Sequence, residues 1–378
     1  LTPKGSPLRT TPFHDYHHER NAKMVEFAGW EMPIHYGSII DEHQAVRHGA
    51  GIFDVSHMGR VEFRGRHARR FLERLLTRRV SDMAERTCRY AMVCNESGGV
   101  KDDVLVYRFE DYWLLVVNAA NREKLMEHFE SIRGDLSVKI NDTTEKTAMV
   151  AVQGPDTMDF VRSFSKEIPT LKKYHFTIKN LLVLKLIVSR TGYSGEDGIE
   201  IILPANAVNM ALKLLLKEDE QGESKVRPCG LGARDTLRME AGMPLYGHEL
   251  TEQIDPLSAG LKFAVSLNKH EDATYGDPER FIGQDALERI AADGPSRKLV
   301  GLKLDGKRSP RQHMNVLHGE QTIGEVTSGC LSPTLGHPIA MAYVDPAHSD
   351  FGTTLTIDFG RKTADAEVVK LPFYKRSK

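Results

Sequence analysis

The chain has 378 residues, with 51 Lys and Arg against 52 Asp and Glu and a formal net charge of −1. That length exceeds what one hydrophobic core usually serves, so two or three domains are expected, and the neutral balance argues against a generic nucleic-acid binder, which would be basic. The cysteines, Cys88, Cys94, Cys229 and Cys330, are too few and scattered for a disulfide framework and point to a reducing compartment, and no run approaches the ~20 apolar residues of a membrane span, so a soluble chain without a membrane partner is expected.

The first 30 or so residues read as irregular, with Pro3, Pro7 and Pro12 ahead of Phe27-Ala28-Gly29-Trp30. His14, His17 and His18 lie close together, but no Cys or carboxylate at the usual spacing completes a ligand set, so no metal is expected. Ser38 with Asp41 three residues on resembles a capping box and predicts a helix over 39–48, stopped by Gly49 and Gly51. Phe53-Asp54-Val55-Ser56-His57-Met58 leads into a strand at 60–63. Ala68, Phe71, Leu72, Leu75 and Leu76 then predict an amphipathic helix over 67–78. Its other face carries Arg64, Arg66, Arg69, Arg70, Arg74, Arg78 and Arg79, either a solvated surface or a docking face for an acidic partner.

Gly98-Gly99-Val100-Lys101-Asp102-Asp103-Val104-Leu105-Val106 sets two aspartates in an apolar strand, where a carboxylate is either paired or working, unless it merely opens the strand in water. The chain turns at Glu110-Asp111 and returns as Trp113 to Asn118, a β-hairpin. A strand over 148–152 runs into Gln153-Gly154-Pro155, and Pro155 pre-sets a helix over 156–164. Strands over 181–189 and 199–203 flank the turn Gly192-Tyr193-Ser194-Gly195-Glu196-Asp197-Gly198. Glu200 shares a strand face with Gly198 and Ile202. There it can accept two hydrogen bonds from an amidine-like edge such as that of a pterin, or pair with an arginine. Helices follow over 205–217 and 231–241; Arg234 in the second is an anion or ring partner, or else a surface pair. Tyr90, Tyr193 and Asn118 are available as a stacking wall and an amide. From about residue 296, short strands over 299–304, 321–327, 339–344, 354–359 and 364–369 argue for a small all-β barrel. Phosphate-binding, dinucleotide and nucleophile-elbow motifs are missing from the sequence.

Six ordered segments carry a resemblance: Phe27-Ala28-Gly29-Trp30, Phe53 to Met58, Gly98 to Asp103, Gly192 to Glu200, Ala233-Arg234-Asp235-Thr236-Leu237-Arg238-Met239-Glu240-Ala241-Gly242, and Thr327-Ser328-Gly329-Cys330. Together they resemble the folate-dependent aminomethyltransferases, the T-proteins of the glycine cleavage system, over essentially the whole chain. The resemblance implies an α+β fold drawn as a three-domain ring around a central folate cavity. Its parts are a discontinuous α+β domain of residues 1–50 and 146–285, an inserted α+β domain of 51–145, and a C-terminal β-barrel of 286–378. It implies tetrahydrofolate as co-substrate, no metal, the lipoylated carrier called H-protein as partner, and a cytoplasmic setting, or the mitochondrial matrix in a eukaryote. It implies ammonia, methylenetetrahydrofolate and the reduced carrier as products. Matched residue by residue, it implies Asp103 as the catalytic aspartate, with Met58, Tyr90, Asn118, Tyr193, Glu200 and Arg234 binding the folate. Some members carry tyrosines in a longer C-terminal tail, whose contacts are not carried over to residues 372–378. Demethylating oxidases share the module behind a flavin region that these residues lack. The alternative is a non-catalytic folate-binding maintenance protein of the same fold, although its Lys-Gly-Cys-Tyr-type motif is replaced here by Arg190-Thr191-Gly192-Tyr193.

Overall fold

The computed structural model describes residues 7–181, 184–216, 224–271 and 279–376. Contacts group the chain into two compact units, one of Leu1–Gly65, Ala84–Arg89 and Leu105–Leu237, the other of Arg66–Met83, Tyr90–Val104 and Arg238–Lys378.

The first unit is built on a six-stranded sheet in the order Phe176–Leu181, Leu184–Ser189, Gly198–Pro204, Thr147–Gln153, Gly51–Asp54 and Arg227–Pro228, antiparallel except for the last pair. Its central strands are apolar on both faces because both faces are covered. Ile52, Val150, Val152, Ile199, Ile201 and Leu203 feed one core, while Phe53, Met149, Ala151 and Ile202 feed another with Cys88, Tyr107, Phe176, Ala233 and Leu237. Strand alternation places Glu200 on the second of these faces. The helix Ile39–His48 begins where the sequence places it, with the Ser38 hydroxyl accepting the Asp41 N–H at 3.2 Å. The N-terminal segment is not irregular: it holds a helix, His14–Glu19, and a hairpin of Lys23–Phe27 with Trp30–His35. Ala28 and Gly29 turn that hairpin at φ of 52° and 80°.

A five-stranded sheet runs in the order Thr87–Cys94, Val100–Arg108, Tyr112–Val117, Gly59–Arg64 and Lys139–Asp142. Within its first two strands the chain passes from one unit into the other. The second unit contains a closed barrel of six strands, Lys298–Leu304, Asn315–His318, Gln321–Leu331, Pro338–Val344, Thr354–Asp358 and Thr363–Val369, filled by Leu302, Val316, Val326, Ile357 and Val368 among others.

Several expectations are corrected. The helix over 67–78 is shorter, Ala68–Leu75, because Leu76 turns extended to bridge Val93 and the buried Lys269 ammonium takes up the Glu73 and Leu76 carbonyls; Arg78 and Arg79 lie beyond it. The helix over 156–164 contracts to Thr157–Arg162. The helix over 205–217 opens as a 3-10 turn, Ala205–Ala207, and continues as Val208–Leu215; Lys217 lies outside the described residues, as do 182 and 183 of the strand over 181–189. The strands Gly51–Asp54, Phe176–Leu181 and Asn315–His318 add to those expected. No described helix is long and apolar enough to cross a membrane, and the four cysteines are buried and form no disulfide among the described residues.

Candidate functional site

In the first unit, three of the expected residues come together: Glu200, Arg234 and Tyr193. The turn that carries Tyr193 is held rigidly. Arg47 donates to Glu196 Oε1 at 2.9 Å and to the Ser194 carbonyl at 2.8 Å, with both charged side chains 1 % exposed. Arg190 pairs with Asp197, and the Ser194 hydroxyl donates to Gln153 Oε1 at 2.8 Å. Gly192 and Gly198 sandwich that Gln153 amide so closely that a Cβ on either would meet it within 2.7 Å, which explains both glycines. Arg234 is placed by its helix, Leu231–Glu240. The buried Glu42 carboxylate accepts N–H groups of Tyr36 at 2.7 Å and Gly230 at 2.8 Å, anchoring the start of that helix to the strand Trp30–His35 and the turn after it.

A chain of three hydroxyls leads to Glu200. Thr191 Oγ1 donates to Glu200 Oε2 at 2.5 Å, Ser189 Oγ lies 2.8 Å from Thr191 Oγ1, and the buried Tyr107 hydroxyl lies 3.0 Å from Ser189 Oγ. With each hydroxyl donating to the next, the chain ends on one carboxylate oxygen. Among the described residues the other oxygen, Oε1, accepts no hydrogen bond. Burial pushes the Glu200 carboxyl above its ordinary range, against the opposing pull of Thr191 and the Arg234 charge. Burial likewise lowers Arg234, against Glu200 and Tyr193. The Arg234 guanidinium lies 4.8 Å from the Tyr193 ring centroid, a cation–π contact. Among the described residues it has no carboxylate at salt-bridge distance.

Met58 and Asn118, the other expected residues of this unit, are half-buried. Met58 ends a turn knotted by the fully buried Arg60, which donates to the Ser56 and Thr147 carbonyls, both at 3.0 Å. Asn118 opens a 3-10 turn, Ala119–Asn121. Next to Met58 stands a residue that the sequence reading passed over. His57 is 2 % exposed, packs edge-on to Phe27 with centroids 5.6 Å apart, and has a buried Nδ1 without a hydrogen-bond partner among the described residues. Burial, with Arg234 and Arg60 adding to it and Asp54 opposing, lowers its pKa to about 4, so the ring is neutral at pH 7. Its only sequence signal is its place in the Phe53 to Met58 segment.

In the second unit the strand Val100–Arg108 carries the two aspartates on opposite faces. Asp102 is fully buried and Asp103 half-buried, so neither opens the strand in water. The Tyr90 hydroxyl donates to Asp103 Oδ2 at 3.1 Å, and the Tyr90 ring stacks on Phe263 with centroids 6.1 Å apart. Phe263, which is 63 % exposed, was also missed. The Gly98-Gly99 turn before Asp102 packs so tightly that a Gly99 Cβ would stand 1.9 Å from the Glu252 carbonyl oxygen. Tyr90 and Asp103 are thus brought together here, and Glu200, Arg234 and Tyr193 in the first unit. All seven expected residues are half-buried, whereas Arg47, Gln153, Thr191, Ser194 and Glu196, which brace the Tyr193 turn and Glu200, are buried.

The chain is a mixed α/β protein with a closed C-terminal barrel, and it sets a carboxylate and a guanidinium beside a tyrosine, groups able to hydrogen-bond and stack on a polar, planar molecule. Comparison with known proteins goes further. Residues 13–269 match the family described as GCVT N-terminal domain, and residues 297–375 the Glycine cleavage T-protein C-terminal barrel domain. The chain is 46 % identical to an aminomethyltransferase of Rubrobacter xylanophilus over 98 % of its own length and 95 % of the relative's. It is 44 % identical to an aminomethyltransferase of Symbiobacterium thermophilum, covering 97 % and 98 %. The crystal structure of glycine cleavage system aminomethyltransferase T from Bartonella henselae superposes with a TM-score of 0.88 at 32 % identity, covering 97 % of this chain and 98 % of that one. The chain belongs to the glycine cleavage T-protein family and is an enzyme, an aminomethyltransferase. The non-catalytic alternative is accordingly set aside.

Proposed function

We propose that the chain transfers the methylene group of an aminomethylated dihydrolipoyl carrier, the H-protein, to tetrahydrofolate as co-substrate, releasing ammonia. The observation that carries this reading is the incomplete pairing of Glu200 and Arg234. A half-buried carboxylate with one oxygen fixed and the other open is suited to the ring N–H and exocyclic amine of a pterin, and a guanidinium over Tyr193 to a flat ring or an anionic group. Met58, Asn118, Tyr193, Glu200 and Arg234 bind the folate in this reading, and the buried His57 Nδ1, without a hydrogen-bond partner among the described residues, is a further polar group that suits such a ligand.

Asp103 is assigned the catalytic role, with Tyr90 orienting its carboxylate through the 3.1 Å hydrogen bond and adding a ring to the binding surface. The chemistry asks the enzyme to position two large substrates and to manage a proton and developing cationic charge as the amine departs. A carboxylate performs that task. The carrier is assigned to the exposed arginines Arg66, Arg69 and Arg74. Arg70 is already paired with Glu279 at 2.6 Å. Charge reversal at Arg66, Arg69 and Arg74 weakens carrier binding in this reading; unchanged affinity removes that face. The three-part division into 1–50 with 146–285, 51–145 and 286–378, and the cytoplasmic or matrix setting, belong to the same proposal.

The test is ammonia release and methylenetetrahydrofolate formation from a lipoylated, aminomethyl-loaded carrier. Both products in equal amounts, dependent on tetrahydrofolate, are expected. Tetrahydrofolate binding without ammonia release would overturn the reading.

A further inference from the structure

The helix His14–Glu19 presents histidines in two directions. His17 is 1 % exposed and is consumed inside, with Nε2 3.0 Å from Asp54 Oδ2 and Nδ1 2.7 Å from the Tyr36 hydroxyl. His14 and His18, four residues apart, share the outer face, with ring centroids 4.5 Å apart and their Nε2 atoms 3.1 Å apart. The strand Trp30–His35 supplies the carboxylate that local spacing lacks. Glu31 Oε2 stands 2.8 Å from His14 Nε2 and 3.9 Å from His18 Nε2.

Three lone-pair atoms therefore converge on one point, and together they form a group able to hold a metal ion. Tetrahedral zinc with ligands at about 2.0–2.1 Å keeps its ligand atoms about 3.3 Å apart. The three separations, 2.8, 3.1 and 3.9 Å, bracket that spacing. His14 Nε2 faces both the Glu31 oxygen and the His18 nitrogen and can offer them at most one N–H. A divalent ion satisfies all three atoms at once. The donors are held by independent elements: the Glu31 N–H is bonded to the Arg9 carbonyl at 2.9 Å, and its cross-strand neighbour Glu26 is occupied by the Gly29 N–H at 2.9 Å.

We propose that His14, His18 and Glu31 form a binding site for a divalent transition-metal ion, best suited to Zn²⁺, with two imidazoles, one carboxylate and a fourth position open to water. The ion clamps the helix His14–Glu19 to the hairpin and takes no part in the transfer reaction. This departs from the sequence-based expectation of no metal, because Glu31 lies 17 residues from His14 and belongs to no local ligand motif.

The experiment uses the full chain stripped with a chelator, titrated with zinc chloride by calorimetry, and with cobalt chloride by visible absorption. One equivalent of zinc, tetrahedral d–d bands with cobalt, and a rise in Tm at about 100 μM zinc are expected. His18→Ala, at an exposed position, and the near-isosteric Glu31→Gln should each weaken zinc binding at least about tenfold and abolish the Tm rise. Zinc-free transfer activity of both variants should equal that of the parent. No binding at about 100 μM zinc, or binding that neither substitution weakens, would overturn the proposal.

Discussion

Two of the arginine–carboxylate arrangements around one turn of the first unit are built in opposite ways. Arg47 and Glu196 are joined directly, hydrogen-bonded to each other at 2.9 Å with side chains 1 % exposed, and the Ser194 carbonyl takes a further guanidinium proton. Arg234 and Glu200 feel each other's charge but share no hydrogen bond. One meets the Tyr193 ring, and the other keeps an oxygen unbonded among the described residues. A completed buried pair resists change on either side, since removing one partner strands the other charge. An incomplete one holds binding capacity in reserve, at some cost in stability.

The largest effect expected of any substitution falls on chemistry. Asp103→Asn should lower turnover by about 10²–10⁴-fold while changing tetrahydrofolate affinity far less, as single-turnover kinetics and direct binding would measure. On stability the two pairs should diverge. Arg47→Ala should cost about 3–5 kcal/mol in urea unfolding, whereas Glu200→Gln should leave stability equal or higher. Equal losses would erase the distinction between scaffold and site.

His57 sharpens the comparison through pH. Its pKa is about 4 in the folded chain, against an ordinary value of 6.5 when unfolded. Between those values the unfolded chain binds more protons, so stability falls as pH drops through that window, by about 3 kcal/mol from this group alone. His57→Gln should therefore narrow the stability difference between about pH 7 and about pH 4.5 by that order. The smallest effect expected is at Thr191. Thr191→Val removes the donor that fixes Glu200 Oε2 and should weaken tetrahydrofolate binding by about 1 kcal/mol, or five- to tenfold, with turnover at saturation little changed.

Much of the scaffold was legible because local rules set it. The Ser38 cap, the hairpin that bears Asp103 and most barrel strands follow from nearest-neighbour chemistry and appear within a residue or two. Glu200 was legible as a charge misplaced in an apolar strand. The groups that tune it were not: Tyr107 lies 82 residues from the Ser189 it meets, and nothing in a local window links them. The end of the helix Ala68–Leu75 was misjudged for the same reason, since Lys269, 193 residues from Leu76, takes its last carbonyls. His57 carried no signal of burial, and Glu31 joined the histidines only once the hairpin had folded beside them.

The most direct test measures tetrahydrofolate affinity and Tm on the same preparation of Glu200→Gln, beside the parent. The account predicts affinity weakened at least about tenfold with Tm unchanged or raised. Parental affinity, or a fall in Tm as large as that of Arg47→Ala, would contradict it and return Glu200 to the scaffold.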